Sequence, residues 1–281
     1  MSKIQFLAKA LVKYATLQAA SCPYCGCDRT TILQWKHGIW QLRRCPECSL
    51  KFRFPKDDPK ESAGFYQERY RQENVTDLPG EEEIPSHILE NFKSSGRDLT
   101  KHLETIRAII PAGRMLDYGC SWGYGVYQLS QAGYQATGFE ISKPRVEYGR
   151  RNLRVDLTSD IDTLPSKAFD GVYSAHVLEH IPEPKSALAA FQRLLKPGGK
   201  LFLYVPNCSG DEAKRLGANW GQMINEKHVL ALTAEFFKRN LPNHGFRTEF
   251  SSSPYERPPQ PYEKDSDPRG EELLVVGTLQ R

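Results

Sequence analysis

The chain of 281 residues lacks any uninterrupted apolar run that approaches the roughly 18 residues a membrane-spanning helix needs. Its longest apolar stretches, such as residues 201–205, have only the length of a strand, so a membrane span is excluded. The apolar share is also modest, about 42% when glycine is counted and tyrosine is left out, against roughly 45–50% in globular domains. That share is still high enough to exclude disorder throughout the chain.

The chain has little net charge, formally +4, and this charge is unevenly distributed. Residues 1–60 contain 11 Lys and Arg against 4 Asp and Glu, a formal +7, and the remainder carries −3. A basic segment of this size is weak beside the pI above ~9 that is typical of a dedicated nucleic-acid-binding domain. The sequence therefore does not favour RNA as a partner.

No secretory leader is recognisable, because Lys9 and Lys13 interrupt the apolar stretch of the first 20 residues. The apolar residues there recur on one helical face, which predicts an amphipathic helix. We expect this helix to cover its own domain; a membrane surface or a second subunit of a homo-oligomer are the alternatives. Seven cysteines without a leader predict a reducing, cytoplasmic compartment.

Four of the seven cysteines form two CxxC pairs, Cys22 with Cys25 and Cys45 with Cys48, separated by 19 residues. This spacing is typical of a four-thiolate zinc site. Two such turns complete a tetrahedron around one ion and leave no open position, so we expect Zn²⁺ to be structural. Four unligated buried cysteines are the alternative. Cys27 is a further nearby thiol to which the sequence assigns no role.

Composition divides the chain into four segments: an amphipathic helix at 1–20, a zinc ribbon at 21–55, a helical connector or lid at 56–113, and a domain at 114–281. In the connector, helices are predicted over 62–71 and 86–110.

In the last segment, predicted strands alternate with predicted helices. The strands cover 114–119, 135–141, 169–176 and 200–206, and the helices cover 124–133, 144–152 and 185–196. This order predicts an α/β fold with a Rossmann-like parallel sheet. Two final strands, 246–253 and 273–280, have no helix between them and should pair as an antiparallel hairpin.

A glycine-rich turn follows the first of these strands. The chain passes from Asp117 through Gly119, Cys120 and Gly123 directly into a helix. Free backbone N–H groups and missing Cβ atoms at such a turn let a nucleotide cofactor approach closely. The next strand ends at Glu140, 21 residues after Gly119, near the ~20-residue offset at which an acid accepts hydrogen bonds from ribose hydroxyls. A turn without a ligand is the alternative.

Further motifs follow at successive strand ends, at residues 160–165, 169–172, 177–180 and 195–199. Together with the glycine turn they resemble the class I S-adenosylmethionine-dependent methyltransferases over roughly residues 114–281. The resemblance implies a cofactor site in which the methionine part lies at the glycine turn, the ribose at Glu140 and the adenine at residues 160 and 161. The candidate cofactor-binding residues are Asp117, Gly119, Cys120, Gly123, Glu140, Ile141, Asp160 and Ile161.

The chain departs from this family at Ser121, where the pattern usually has glycine; we expect this small side chain only to tighten the turn. Hydride transfer with NAD is less consistent, because neither Cys120 nor Ser121 supplies the second glycine of GxGxxG. The cysteine pairs, with residues 42–55 and Tyr66 and Tyr70, resemble a subgroup of these methyltransferases with an N-terminal zinc ribbon. The resemblance implies tailoring of sugars, polysaccharides or secondary metabolites.

The histidines give information about the acceptor of the methyl group. A hydroxyl acceptor must lose its proton during the transfer, and histidine is the usual base. His176 and His180 lie at or just after the end of the fourth strand, where ligands of open α/β sheets bind, and His228 follows the fifth strand. Each is a candidate base. One alternative is that His180 only hydrogen-bonds a backbone group to fix the loop before Pro182, and that His228 is an ordinary helix-start residue. A divalent ion held by His176, Glu179 and His180 is another, since a similar triplet, with Glu in place of His176, occurs in ubiquinone-pathway O-methyltransferases.

The sequence thus predicts an S-adenosyl-L-methionine-dependent methyltransferase that acts on a small-molecule or glycan acceptor at a hydroxyl oxygen. An RNA methyltransferase that uses the basic zinc module is the second interpretation. The third is a scaffold that binds the cofactor and transfers nothing.

Overall fold

The structure is a computed structural model that describes residues 12–14, 19–58, 64, 77–93, 95–262 and 268–281. Most of the predicted helices over 1–20 and 62–71, including Tyr66 and Tyr70, lie outside the described residues. The chain divides into two compact units. Unit 1 comprises Met1–Pro59, His176–Ala189 and Tyr204–Val276, and unit 2 comprises Lys60–Ala175, Ala190–Leu203 and Gly277–Arg281.

Unit 2 is built on parallel strands. Strand β4 pairs in parallel with β5 on one side and with β7 on the other, and β5 pairs in parallel with β6. These strands are β4 (Arg114–Tyr118), β5 (Gln135–Phe139), β6 (Asp156–Thr158) and β7 (Phe169–Ala175). The helices after β4 and β5 are α3 (Tyr124–Gln131) and α4 (Lys143–Leu153). Four residues of β4 are buried, as expected for a strand covered on both faces.

Three further strands complete the larger sheet, whose order is β10-β11-β8-β7-β4-β5-β6. They are β8 (Leu195–Pro206), β10 (Phe246–Ser252) and β11 (Glu272–Leu279). The α5 helix (Pro184–Leu194) lies between β7 and β8 in the sequence. The predicted fold class, α/β with a parallel central sheet, is confirmed.

The predicted long helix over residues 86–110 is wrong in one respect, because the structure divides it into α1 (Ile84–Leu89) and α2 (Thr100–Ile109). Asn91 and Phe92 adopt positive φ angles between the two helices. The Phe92 side chain is fully buried and packs edge-on against Trp122, with ring centroids 5.7 Å apart. Burial of this one aromatic ring thus overrides the helical pattern.

Unit 1 contains a four-stranded sheet with the order β1-β2-β3-β9, in which each neighbouring pair is antiparallel. The strands are β1 (Thr31–Lys36), β2 (Trp40–Arg44), β3 (Lys51–Phe54) and β9 (Leu230–Ala231). The helices α6 (Asp211–Leu216) and α7 (Ala234–Asn240) also belong to this unit. The Thr233 side chain caps α7 by accepting a hydrogen bond from the Phe236 amide.

Within the described part of the chain, the structure has no helix that is both long and apolar enough to cross a membrane.

Candidate functional site

The turn between β4 and α3 has the backbone conformation that its glycines predict. Gly119 and Gly123 adopt φ angles of 83° and 87°, in the left-handed region where glycine is favoured. The amides of Gly119 and Cys120 donate hydrogen bonds to the Phe139 carbonyl at 2.7 and 3.1 Å. The turn is therefore fixed to the end of the neighbouring strand β5.

Glu140 connects the same two strand ends through its carboxylate. One oxygen accepts a hydrogen bond from the Ser121 amide at 3.0 Å, and the other accepts one from the Ser142 amide at 2.8 Å. Burial raises the pKa of Glu140, although these amides and the nearby Arg145 charge act in the opposite direction. The acid at the end of the second core strand thus orders the glycine turn.

Ser121 has a more specific role than the sequence predicts. It adopts a φ angle of 51°, which is uncommon for a residue other than glycine. Its hydroxyl accepts a hydrogen bond from Nη1 of Arg145 at 2.7 Å, and both side chains are buried. Sequence reasoning missed Arg145, although a cationic residue at a buried helix position is an unusual choice that could have indicated it.

Asp117 lines a small cleft in unit 2. The carboxyl is 4% exposed, and burial followed by the charge of Glu140 raises the pKa of Asp117 to about 8. The lining residues are Leu99, Asp117, Gly119, Cys120, Tyr124, Tyr173 and Ala175. Three of the predicted cofactor residues therefore meet in this cleft.

The remaining predicted cofactor residues are placed along the same sheet edge. Glu140 directly follows β5, the parallel neighbour of β4, and Asp160 follows β6, the parallel neighbour of β5, so both lie at the carboxyl ends of the parallel strands. One Asp160 oxygen accepts a hydrogen bond from the Asp162 amide and caps a short 3-10 turn that begins at Ile161. Ile141 is 39% exposed.

Tyr173 is a cleft residue that sequence reasoning missed. It lies on β7 directly opposite Asp117 in the parallel register. Its hydroxyl is 2.9 Å from Nδ1 of His102, which belongs to α2. A tyrosine inside a buried strand pattern carries no signal of such a role, because it is equally typical of a core position.

The four cysteines of the CxxC pairs lie together in unit 1. Their Sγ atoms are all within 4.8 Å of one another, and Cys22–Cys48 and Cys25–Cys45 are 3.4 and 3.5 Å apart. These distances are too long for disulfide bonds, which need about 2.05 Å. They are slightly shorter than the separation of about 3.8 Å that two thiolates have on a tetrahedral zinc ion.

Both CxxC turns have the same backbone. The Gly26 amide donates to the Cys22 carbonyl at 2.9 Å, and the Ser49 amide donates to the Cys45 carbonyl at 3.1 Å. Both donors have positive φ angles, 77° and 61°. Each turn thus directs two thiols toward one point, and the geometry fits the predicted four-thiolate zinc site.

His176 is held between two carboxylates. Its Nε2 atom is 2.5 Å from Glu272, and its Nδ1 atom is 3.4 Å from Glu179. Although partial burial opposes the effect, the two carboxylates raise the pKa of His176 to about 10. At neutral pH this ring is therefore a cation that has no lone pair to accept a proton.

His180 and His228 form a second group with Glu179, which we call the Glu-His-His cluster. The two rings meet edge to face with centroids 4.7 Å apart. Burial lowers the pKa of His180 to about 4. Burial also opposes ionisation of Glu179, but the rings of His176 and His180 hold the pKa of this carboxyl below its ordinary value. This group differs from the triplet that the sequence predicted as ligands of a divalent ion, because it contains His228 in place of His176.

Comparison with known proteins identifies the family. A family model described as a methyltransferase domain matches residues 83–249, more than half of the chain. The chain therefore belongs to this family of methyltransferase domains. The predicted resemblance to class I S-adenosylmethionine-dependent methyltransferases is confirmed.

Relatives of known name match shorter regions. A ubiquinone biosynthesis O-methyltransferase of Xanthomonas oryzae is 33% identical over 110 residues, which is 36% of this chain and 46% of that protein. An S-adenosyl-L-methionine-dependent Diels-Alderase of Talaromyces variabilis is 32% identical over 133 residues, 41% of this chain and 46% of that protein. The chain thus spans about half the length of the curated relatives it matches.

Solved structures share the fold. A 1,6-didemethyltoxoflavin-N1-methyltransferase of Burkholderia thailandensis is 16% identical, with a TM-score of 0.51 over 88% of this chain and 99% of that one. An S-adenosylmethionine-dependent methyltransferase from Clostridium acetobutylicum is 15% identical, with a TM-score of 0.52 over 71% and 99%. At these identities the similarity shows the fold alone.

The residues of unit 2 fit S-adenosyl-L-methionine. The cofactor carries ammonium and sulfonium cations, and the cleft contains a buried acid, Asp117, next to the charge of Glu140. A cation in this cleft would stabilise the ionised form of both acids. The glycine backbone beside Asp117 leaves the cleft wall without a side chain at Gly119.

Proposed function

We propose that this protein is an S-adenosyl-L-methionine-dependent methyltransferase that modifies a hydroxyl oxygen of a small-molecule or glycan acceptor. The observation that carries the proposal is the Glu140 carboxylate, which links the glycine turn to the end of β5 beside the acidic cleft. Family membership supports methyl transfer. The named O-methyltransferase relative supports a hydroxyl acceptor, and the resemblance of the zinc ribbon subgroup supports a sugar or similar acceptor.

The cofactor would be held by the residues of the cleft and of the strand ends beside it. Asp117 would face its cationic amino acid part, Glu140 its ribose hydroxyls, and Asp160 with Ile161 its adenine. Bound S-adenosyl-L-methionine supplies the methyl group. Ser121 and Arg145 would act indirectly, because their hydrogen bond fixes the turn whose amide binds Glu140.

The acceptor hydroxyl would be activated by the Glu-His-His cluster. Two of its members, Glu179 and His180, follow the cleft-lining Ala175 by only a few residues along the chain, in the loop after β7 where ligands of open α/β sheets bind. His176 is unsuited to this role, because it is already protonated between Glu179 and Glu272. A histidine of this cluster would accept the O–H proton as the oxygen takes the methyl group that bound S-adenosyl-L-methionine would supply.

The proposal is tested by incubating the purified protein with S-adenosyl-L-methionine and a panel of hydroxyl, amine and carboxylate acceptors, and measuring S-adenosylhomocysteine and the mass of each product. A gain of one methyl group on a hydroxyl acceptor supports the proposal. Cofactor binding without any product across the panel would instead support a binding scaffold.

We expect Glu140→Ala to weaken cofactor binding by about 1.5 to 3 kcal/mol, the range for hydrogen bonds to a charged group. The carboxylate also orders the Ser121 and Ser142 amides, so the loss should fall toward the upper end. Isothermal titration calorimetry with S-adenosylhomocysteine measures the change. Glu147→Ala, which removes an exposed acid from the same region on α4, is the matched control. Unchanged affinity in Glu140→Ala would remove Glu140 from the site.

Cofactor binding should also release a proton from Asp117. The pKa of Asp117 is about 8 without a ligand, so most of this carboxyl is protonated at pH 7. A cationic ligand favours its ionised form, so binding at pH 7 should release close to one proton from this group. Calorimetry in buffers of different ionisation enthalpy counts the protons, and Asp117→Asn should release correspondingly fewer. Equal counts for both proteins would contradict this assignment.

For the ribbon, we propose that Cys22, Cys25, Cys45 and Cys48 bind one structural Zn²⁺ as thiolates. The common backbone of the two CxxC turns and the sulfur distances support this. Cys27 is outside the group of four, and Cys120 and Cys208 are buried elsewhere. A closed site of four thiolates has no position for substrate, so its contribution would be to stabilise unit 1.

A further inference from the structure

Two buried cations of the four-stranded sheet bind the backbone of the loop that carries His228. We call residues 222–229 the His228 loop, and the carbonyls of residues 224–226 accept these hydrogen bonds. Nζ of Lys36, on β1, donates to the first of them at 2.5 Å. Nη1 of Arg53, on β3, donates to the second and third at 2.7 and 3.1 Å. Both side chains are buried, which is rare for lysine and arginine unless polar groups pair with them.

Arg53 binds this loop with its backbone as well as its side chain. Its amide donates to the Val229 carbonyl at 2.8 Å. Its guanidinium also pairs with the Asp57 carboxylate at 2.5 Å and lies over the Trp40 ring. A planar guanidinium presents five N–H donors in fixed directions, so it can bind two carbonyls and a carboxylate at once, which a lysine ammonium does not match. Arg53 is therefore suited to hold the loop in one conformation.

Hydrogen bonds inside the loop connect these carbonyls to the His228 ring. The side-chain oxygen of Asn225 accepts from the amides of Lys227 and His228, each at 2.7 Å. Nδ1 of His228 is 2.9 Å from the Gln222 carbonyl. A carbonyl oxygen only accepts, so this Nδ1 carries the hydrogen, and Nε2 of the neutral ring presents a lone pair. The direction of that lone pair is set by the backbone of the loop.

The same loop also orients the second histidine of the Glu-His-His cluster. The Val229 amide donates to the Glu179 carbonyl at 3.0 Å, and Nδ1 of His180 is 3.1 Å from the Lys227 carbonyl. By the same reasoning Nδ1 of His180 carries the hydrogen. Both rings of the cluster therefore depend on one segment of backbone that the four-stranded sheet holds in place.

We propose that Lys36 and Arg53 are positioning residues that hold the His228 loop so that Nε2 of His228 meets the acceptor hydroxyl. This inference rests on the proposed function, in which a histidine of the cluster accepts the proton. A base must lie within about 2.6 to 3.2 Å of the group that it deprotonates. A displacement of about 1 Å can cost roughly 10²-fold in rate. The two cations thus support catalysis without touching the substrate.

Steady-state kinetics of the full-length protein with the best acceptor of the panel test this proposal. Arg53→Met keeps an apolar stem and removes every guanidinium donor. We expect it to lower kcat about tenfold or more, while KM for the acceptor and affinity for S-adenosylhomocysteine stay within about twofold. Arg53→Lys keeps one charged donor group and should recover part of the loss. Arg43→Lys is the matched control, because Arg43 donates to Thr30 and Gln41, outside the loop, and it should keep the wild-type kcat.

A double-mutant cycle separates positioning of His228 from general support of the fold. If Arg53 acts through His228, Arg53→Met should lower kcat no further in the His228→Ala protein. Losses that multiply in the double variant would overturn the proposal, as would a wild-type kcat in folded Arg53→Met. Circular dichroism shows whether each variant folds. Lys36→Met, which removes the donor to the first carbonyl alone, takes the place of Arg53→Met in the cycle if that variant does not fold.

Nuclear magnetic resonance of the histidine ring nitrogens gives a readout that needs no methyl transfer. The His228 signal, assigned by its absence in His228→Ala, should show the hydrogen on Nδ1 in the wild type. Arg53→Met should produce a mixture of both tautomers and faster exchange of the Lys227 and His228 amides, because the loop is released. An unchanged tautomer with unchanged exchange would overturn the positioning role. A changed tautomer in a protein that methylates no acceptor would support this role and count against the proposed function.

Discussion

Replacing Cys45 with serine should release the ribbon metal and unfold the connection between β2 and β3. A structural zinc site contributes binding free energy of about 10 to 16 kcal/mol in small zinc modules, and one lost thiolate leaves the ion with an incomplete tetrahedron. Cys45 is fully buried, and its amide donates to the Leu50 carbonyl, so the change reaches the backbone of the turn. Elemental analysis and hydrogen exchange over residues 21–55 measure the loss.

Cys27→Ser is the matched control for this experiment. Cys27 is a partly exposed thiol near the first pair but lies outside the group of four, so this variant should keep its zinc. Native protein that contains no zinc would contradict the ribbon assignment. Equal zinc loss from both variants would mean that Cys27 is a ligand.

The effect should extend beyond the ribbon to α7 within unit 1. Arg239 donates hydrogen bonds to the carbonyls of Pro46 and Glu47, and Asn240 donates one to the Cys48 carbonyl at 2.8 Å. Three carbonyls of the second CxxC turn are thus bound by one helix. Loss of the metal should therefore increase hydrogen exchange in α7 as well.

The fold was predictable because its signals are local and repeated. Alternating strand and helix patterns predicted the parallel strands β4, β5 and β7 with ends within two residues of those observed. The strands β6 and β9 were missed, since segments of three and two residues are too short to show a period of two. The break between α1 and α2 was also missed, because it depends on burial of Phe92 by a distant part of the sequence.

The residues of the candidate site could be predicted only where their spacing along the chain determines which of them meet. The glycine turn, Glu140 and the cysteine pairs each have a spacing set by a turn or a βαβ unit, and the structure places them accordingly. The pairing of His180 with His228 has no such signal, because 47 residues, which include α5, β8 and α6, separate them in sequence. The Arg145 contact to Ser121 is likewise a product of tertiary packing.

The three candidate histidines, which sequence reasoning treated as equal, also differ only through contacts that form in the folded protein. His176 lies next to two acids that come from different parts of the chain, Glu179 and Glu272, and this makes it a cation. His180 is neutral because it is buried, with its Nδ1 bound to a backbone carbonyl. Only the folded environment assigns these opposite protonation states.

His228→Ala and His180→Ala should each lower turnover on a hydroxyl acceptor by ~10²-fold or more, the usual contribution of proton removal. Each substitution deletes one Nε2 lone pair from the Glu-His-His cluster, while the cofactor residues of unit 2 are unchanged. Affinity for S-adenosylhomocysteine should therefore stay at the wild-type level. Steady-state kinetics with the best acceptor, beside calorimetry, separate the two effects.

The outcome of this comparison also identifies the acceptor chemistry. An amine that is already neutral, or a carboxylate, needs no proton removed before it attacks the methyl group. Wild-type rates in the His176, His180 and His228 variants would therefore contradict a hydroxyl acceptor and indicate one of these two classes. A rate loss confined to His180 and His228 would show that the cluster acts on the O–H bond, with His176 held apart by its two carboxylates.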